Sequence, residues 1–418
     1  MRYSILILII IYPLYSQCEN NGDLDGDGEI EIYELSSLNN MVLNEEYSYI
    51  GDADNDSLLT VNDLILIYEW WQYDNNPCVI RFILPNYIFS TFDKRNDYFI
   101  QDLNNDYLIW EESLVRLNQY GDTLSVVYSN ESEIINSLII TDSSNYVITG
   151  NTNSQSSTVL YVKKIDILGN EIWNYTKIED PNAYSINGLK IIQNQDGTFT
   201  VLGHHEFSQA GYNDKLILIK LDQNGNELWY NEYISGQQYA DWETKDFIKD
   251  TVSNNYIAVS DQGHILIKII DDDGVLLTTF DTYSLGINGG DVKKVFLLEN
   301  YIYVHFLNYL VKFDGNLNYQ SLFSLVDNGS FVNVELDNDQ FSVSSSTVNE
   351  GPLQGDYTFD IVNADGENIY NYTFVYPQSQ LPKDHIKTND GGYLLYIVGL
   401  GLIKTDSSGQ IPYWLLED

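Results

Sequence analysis

Cationic side chains are scarce in this chain: 20 lysines and arginines stand against 61 aspartates and glutamates, for a formal net charge of -41. A surface with that balance repels phosphate backbones and anionic lipid, which argues against nucleic-acid binding and leaves divalent cations, cationic partners or neutral glycans as compatible ligands. The acidic excess itself is read first as a solubilising surface. Histidine is also sparse. The five histidines, His204, His205, His264, His305 and His385, include no pair at a metal-ligand spacing within one element. His204 and His205 would face opposite sides of a strand, and each of the five is expected to be a satisfied or exposed side chain. Long apolar runs are limited to Ile5 to Tyr12, preceded by Arg2 and followed by Pro13 and Ser16. That run is too short to span a bilayer and has the layout of a signal peptide over residues 1–16, with Gln17 as the first mature residue and a lipoprotein cut before Cys18 as the competing reading. Loss of Arg2 leaves 19 basic against 61 acidic residues, or -42. No later segment reaches transmembrane length, so a secreted, extracellular or cell-surface location without a membrane span is expected. Only two cysteines exist, Cys18 and Cys78. In an oxidising compartment they are expected to pair, closing a loop worth roughly 4 kcal/mol in the chain-entropy picture.

Between those cysteines the chain is chemically most specific. Asp23 to Glu34 and Asp52 to Asp63 are two acidic twelve-residue stretches, each leading into an apolar-periodic segment. A hard cation such as calcium takes six to eight oxygens at about 2.4 Å, supplied by loop positions 1, 3, 5, 7, 9 and 12. In the first stretch these are Asp23, Asp25, Asp27, Glu29 through its carbonyl, Glu31 and Glu34, with Gly28 at the sharp turn. In the second they are Asp52, Asp54, Asp56, the carbonyl of Leu58, Thr60 and Asp63. Ser57 replaces the turn glycine there and Asp63 is one methylene shorter than glutamate, so the second site is expected to be weaker. Two bound calcium ions are expected. Ile32, Leu35, Leu38 and Val42 follow the first loop at helical spacing, and Val61, Leu64, Ile65, Ile67, Tyr68 and Trp71 follow the second. Gln17 to Gly22 is too short for an entering helix.

Loop then helix, twice, with loop starts 29 residues apart, resembles a dockerin, the EF-hand-type calcium module that plugs into cohesin domains in polysaccharide-degrading assemblies. The resemblance covers residues 17–78 and implies a small α-helical module with a cohesin-like or other protein partner; a Cys18–Cys78 bridge fits the closeness of dockerin termini. Loop positions ten and eleven, Ile32-Tyr33 and Val61-Asn62, differ from the small hydroxyl residues of the best-known type.

From Val79 onward short alternating runs are separated by Asn, Asp and Gly, the pattern of many short strands. A unit of strand, polar glycine turn and strand recurs around Gly121, Gly169, Gly225, Gly274, Gly315, Gly366 and Gly409, at separations of 48, 56, 49, 41, 51 and 43 residues. A further strand pair precedes each turn, as in Asp196 to Gly203. Four strands at such a period predict a mainly β fold with a seven-bladed β-propeller over residues 79–418, in which Trp173, Trp229 and Trp414 pack between blades. The last unit reaches nearly to Asp418, so ring closure needs no borrowed strand in this reading, with Val79 to Leu84 left open as a contributor. Asp166, Asp222, Asp314 and Asp406 recur at one place in successive units and are expected to cap turns. The 34 tyrosines are read as strand residues. The Asp222, Gly225, Trp229 spacing resembles the tryptophan-docking repeat of quinoprotein-type propellers.

No nucleophile, base and acid stand out at a catalytic spacing. The reading that follows is a secreted calcium-binding protein whose dockerin-like module attaches or stabilises a non-catalytic propeller acting as a binding or adhesion platform for a glycan or protein ligand. The alternative is a secreted carbohydrate-active hydrolase or quinone-dependent enzyme carrying a dockerin for assembly.

Overall fold

The computed structural model describes residues 32–44, 59, 64, 67, 81–82, 99–102, 104–110, 113–118, 123–130, 132–141, 144–153, 158–177, 183–207, 214–234, 243–261, 263–287, 291–325, 329–348, 355–374, 381–389, 391–398 and 401–405. Helix α1, Ile32–Leu43, lies where the apolar spacing after the first acidic loop predicts it. Leu38 on its inner face is fully buried with Ile67, and Leu35, Met41, Leu59 and Leu64 pack around them.

The remaining elements are strands: β1 (Arg81–Phe82), β2 (Phe99–Gln101), β3 (Tyr107–Trp110), β4 (Ser113–Leu117), β5 (Thr123–Ser129), β6 (Glu133–Ile140), β7 (Tyr146–Asn153), β8 (Thr158–Ile165), β9 (Glu171–Lys177), β10 (Ala183–Gln193), β11 (Phe199–Phe207), β12 (Lys215–Leu221), β13 (Glu227–Ile234), β14 (Glu243–Asp250), β15 (Asn255–Asp261), β16 (Ile265–Ile270), β17 (Leu276–Asp281), β18 (Val292–Leu298), β19 (Tyr301–Phe306), β20 (Tyr309–Asp314), β21 (Tyr319–Ser324), β22 (Gly329–Asp337), β23 (Gln340–Val348), β24 (Gly355–Asn363), β25 (Asn368–Phe374), β26 (Leu381–Lys387), β27 (Tyr393–Val398) and β28 (Gly401–Thr405). They pair as antiparallel meanders in chain order: β2 to β5, β6 to β9, β10 to β13, β14 to β17, β18 to β21 and β22 to β25. The second and third of these are joined into one eight-stranded sheet by a single parallel pairing of Ser185 with Thr158. In the last sheet β26, β27 and β28 take β1 as the fourth strand, with Arg81 opposite Ile403 and Phe82 opposite Leu402.

Each meander buries both faces, one against the preceding meander and one against the following. Adjacent residues of β7 show it: Tyr146 and Ile148 join Leu108, Trp110 and Ile135 in one cluster, while Val147 joins Val201 and Ile217 in the next. The period of two sends neighbouring side chains to opposite faces, so a central strand that is apolar throughout, such as β12 with Leu216 to Ile219 all fully buried, must be covered on both sides. The chain of interfaces continues through Leu216 with Tyr256, Val259 with Ile302, Tyr303 with Phe341, and Phe359 with Tyr393. It then returns to its start, because Phe99, Tyr107 and Ile109 pack with Leu394, Tyr396 and Leu402. At about 1.5–3 kcal/mol for each fully buried large aliphatic or aromatic side chain, these interfaces are the main stabilising contribution. A closed succession of twisted antiparallel sheets packed face to face is a β-propeller, as the repeat predicts.

The turns between the third and fourth strands follow one design. Asp166 Oδ1 accepts from the amides of Leu168 and Asn170, Asp222 Oδ1 from Asn224 and Asn226, and Asp314 Oδ1 from Asn316 and Asn318. The capping role read from the repeats holds for these three; Asp406 lies outside the described residues. One alignment needs correction. Gly169, Gly225, Gly274 and Gly366 occupy the left-handed position three residues after the capping residue, but in the 314–318 turn that position is held by Leu317, at φ 63°, and Gly315 is merely the residue after the cap. Ring closure uses the segment that the sequence left open as a contributor, since β1 pairs with β28 as the fourth strand of the last sheet; Ile411 to Leu415 lie outside the described residues, along with Gly409 and Trp414.

Candidate functional site

The residues assigned to calcium, Asp23, Asp25, Asp27, Glu29, Glu31, Asp52, Asp54, Asp56, Leu58, Thr60 and Asp63, and both cysteines, Cys18 and Cys78, lie outside the described residues. Glu34 falls in α1. What is described next to them is the cluster of Leu35, Leu38 and Met41 with Leu59, Leu64 and Ile67. It joins the segment following the first acidic loop to Leu59 within the second and to Leu64 and Ile67 after it. Among the described residues no group of three or more His, Cys, Asp or Glu side chains is arranged to hold a metal ion.

Within the propeller three polar systems stand out. At the end carrying the capped turns, three outer strands, β9, β13 and β21, send an aromatic side chain onto the next turn. Trp173 Nε1 donates to the Gln223 carbonyl at 3.0 Å and Trp229 Nε1 to the Asp272 carbonyl at 3.2 Å. A Cβ on Gly225 would stand 2.6 Å from the Trp173 ring, and one on Gly366 would stand 2.6 Å from Phe323. Trp173 and Trp229, two of the three tryptophans expected between blades, are there, Trp414 lying outside the described residues, and Phe323 does the same work in a unit where sequence alone showed no tryptophan. Asp272 binds Lys220 at 2.8 Å and Lys249 at 2.6 Å and accepts from Tyr256 at 3.0 Å. Burial pushes its carboxyl up, but the hydrogen bonds from the two lysines outweigh it and hold the group at about 2. These side chains are consumed by packing, so they present no stacking platform.

A second system runs along the first strands, which share a bulge at one level: Ile135/Ser137, Gly188/Lys190, Thr244/Asp246, Val292/Lys294, Ser330/Asn333 and Pro382/Asp384. The residue after each bulge reaches the neighbouring sheet. Lys190 binds Asp246 at 2.6 Å, Asp246 accepts the Val295 amide at 2.9 Å, Lys294 binds Glu335, and Asn333 donates to Asp384 at 2.6 Å. A bulge re-aims one side chain along the strand, and here the re-aimed groups knit successive first strands together.

The third system lies at the opposite end of β11 to β14. His204 Nδ1 is 3.3 Å from Thr244 Oγ1, and its Nε2 is 3.8 Å from Asp214 Oδ2. His205 Nδ1 meets Glu232 at 3.1 Å, and Glu232 also binds Lys215 and Tyr230. The two histidines do lie on a strand, as expected from their adjacency. Burial lowers His204 to about 4, so it is neutral near pH 7, and the hydrogen bond from His205, opposed by burial and reinforced by Lys215, holds Glu232 at about 2. A hydroxyl, an imidazole and a carboxylate in line invite comparison with a catalytic triad. The 3.8 Å gap to Asp214 exceeds hydrogen-bond reach, and Thr244 is only 7% exposed, so the arrangement fastens the β11–β14 interface and offers no accessible nucleophile.

No protein-family model and no curated protein matches the sequence. Solved structures do match in shape. A chain of the mitotic checkpoint complex is 8% identical with a TM-score of 0.52, covering 78% of this chain and 93% of its own. The β-propeller domain of Cps50 (Swd1) from Myceliophteria thermophila is 11% identical with a TM-score of 0.48, covering 75% and 97%. The extracellular domain of a putative hybrid two-component system from B. thetaiotaomicron is 14% identical with a TM-score of 0.48, covering 81% of this chain and 43% of that one. At such identities the likeness concerns fold alone.

Proposed function

We propose that the chain is a secreted calcium-binding protein in which a dockerin-like module over residues 17–78 attaches or stabilises a seven-bladed, non-catalytic propeller serving as a binding or adhesion platform. The observation that carries the proposal is the joining of Leu35, Leu38 and Met41 to Leu59, Leu64 and Ile67. Two loop-then-helix halves whose apolar faces meet form one unit, and a unit that small has too little core to stand without further cross-linking. Calcium at Asp23, Asp25, Asp27, Glu29, Glu31 and Glu34, a second ion at Asp52, Asp54, Asp56, Leu58, Thr60 and Asp63, and a Cys18–Cys78 disulfide would supply it. The seven blades of this proposal are supported by the six meanders that follow one another in chain order and by a last sheet in which β1 is the fourth strand.

Among the described residues no helix is long and apolar enough to cross a membrane, and export is assigned to residues 1–16 by their pattern. A cohesin-like domain or another protein would engage the module, and a glycan or protein would engage the propeller. Isothermal calorimetry on the mature chain is expected to give two calcium ions per molecule, the second weaker, falling to one in a D23A/E34Q variant. A stoichiometry of zero removes the module from the proposal. A glycan array run beside hydrolysis and dye-reduction assays tests the platform; turnover by the purified chain would replace it with an enzyme.

A further inference from the structure

Five lysines are buried among the described residues: Lys163, Lys220, Lys268, Lys294 and Lys404. Four of them meet an oxygen. Lys163 binds Glu133 at 2.7 Å, Lys220 binds Asp272 at 2.8 Å, Lys294 binds Glu335, and Lys404 donates to the Thr405 carbonyl at 2.8 Å. Lys268, the most buried at 2% exposed, has no such partner among the described residues. It projects from the middle of β16, opposite Ala258 on β15 and Thr279 on β17. Ala258 belongs to the apolar cluster with Leu202, Leu216 and Leu218, so this face of the sheet is the one covered by β11 and β12.

One step along the same face, Ser260 stands opposite Leu266 and Thr244. Its hydroxyl is fully buried and has no hydrogen-bond partner. Side chains at diagonal positions on neighbouring strands lie about 7–8 Å apart at the backbone and are within reach of one another when one is as long as lysine. A buried hydroxyl without a partner is costly, and finding it on the same face of one strand pair as a largely buried lysine with no acid or carbonyl beside it among the described residues is the arrangement that a third group would satisfy. Among the described residues no carboxylate is placed there: Asp281, opposite Leu266, caps the following turn through the Tyr283 amide, and Asp272 is taken by Lys220, Lys249 and Tyr256. From the covering sheet Tyr233 and Asn231 both donate to the Gly274 carbonyl, and His204 is held by Thr244.

We propose that Lys268 and Ser260 form a binding site for one compact monovalent anion, a halide or a carboxylate of formate size, with the ammonium as counter-charge and the hydroxyl as a hydrogen-bond donor. A net charge of -41 disfavours anions at the surface, so an anion is better held by a buried cation. Burial lowers the Lys268 amine from its ordinary 10.5 to about 8, which leaves it charged at pH 7 and in need of a counter-ion.

The test uses the full mature chain at pH 7 and constant ionic strength, with sodium gluconate, the bulkier reference anion, replaced stepwise by sodium chloride, bromide or formate. The wild-type melting temperature is expected to rise saturably, the order of the three salts distinguishing a halide site from a carboxylate site. The rise should vanish in Lys268→Met, shift to at least threefold higher anion concentration in Ser260→Ala, and fade above pH 9. Equal responses in wild type and Lys268→Met, or none in wild type, overturn the site. If Lys268→Met does not fold, diffraction from bromide-soaked wild-type crystals decides: an anomalous peak beside Lys268 Nζ supports the site, and its absence refutes it.

Discussion

Alanine at Gly225 tests the docking of one blade on the next. Gly225 sits at φ 80°, so any Cβ there meets the left-handed penalty of about 1–2 kcal/mol. Its Cβ would also stand 2.6 Å from Trp173 Cε3 and 2.7 Å from Cδ2, inside any real contact. The indole has little freedom to withdraw, because its Nε1 is bonded at 3.0 Å to the Gln223 carbonyl two residues before the glycine. Overpacking of that kind costs about 1–3 kcal/mol more, for roughly 2–5 kcal/mol in all. Gly286 provides the control, with a similar φ of 69° and no atom within 4 Å of the added Cβ. Urea unfolding followed by circular dichroism should therefore show Gly225→Ala costing about 1–3 kcal/mol more than Gly286→Ala, with the excess removed in a Trp173→Ala background. Equal costs for the two glycines, or an excess that survives without the indole, would refute the claim that the ring and the turn are fitted to each other.

Two other outcomes follow from the interior. His385 is fully buried, with Ser342 Oγ at 2.8 Å from Nε2 and Ser344 Oγ at 3.0 Å from Nδ1, and burial holds it at about 3 against an ordinary 6.5. The unfolded chain thus binds the proton more readily, so stability present above pH 6.5 is lost as pH falls toward 3, about 2 kcal/mol of it by pH 5. His385→Gln, which does not titrate, should flatten the stability profile between pH 6.5 and 5 by that amount; an unchanged slope rules this histidine out as the cause. At the closure of the ring, an Arg81→Pro/Phe82→Pro variant removes whichever of the two amides of β1 faces β28 and should lower the unfolding free energy by at least about 1 kcal/mol, read as a lower urea midpoint, while leaving calcium stoichiometry intact. A midpoint equal to wild type would mean that β1 contributes nothing to closure.

The repeat was legible because its grammar is local. An aspartate caps the amides two and four residues on, a left-handed residue follows, and strands alternate with period two, all within about fifteen residues of chain. The same locality misled at Gly315: a glycine inside a turn looks like the left-handed residue, yet Leu317 holds that place, since the position is fixed by the cap at Asp314 and a leucine can be forced into φ 63°. Trp173 and Trp229 were legible as interface residues, whereas Phe323 was not, because its role is defined by Gly366 in the next unit.

The sequence by itself determined the β class, the repeat and its turns, and the placement of α1, since each depends on residues near one another in the chain. Only the tertiary structure decided what depends on neighbours tens or hundreds of residues away. Arg81 and Phe82 close the last sheet against Ile403 and Leu402, Lys190 finds Asp246, and Lys268 stands diagonal to Ser260 with no carboxylate paired to it among the described residues. A lysine in a strand reads the same whether or not an acid will meet it. The pairing is set by how successive sheets stack, and that stacking is fixed by the sum of many apolar contacts and by no single residue.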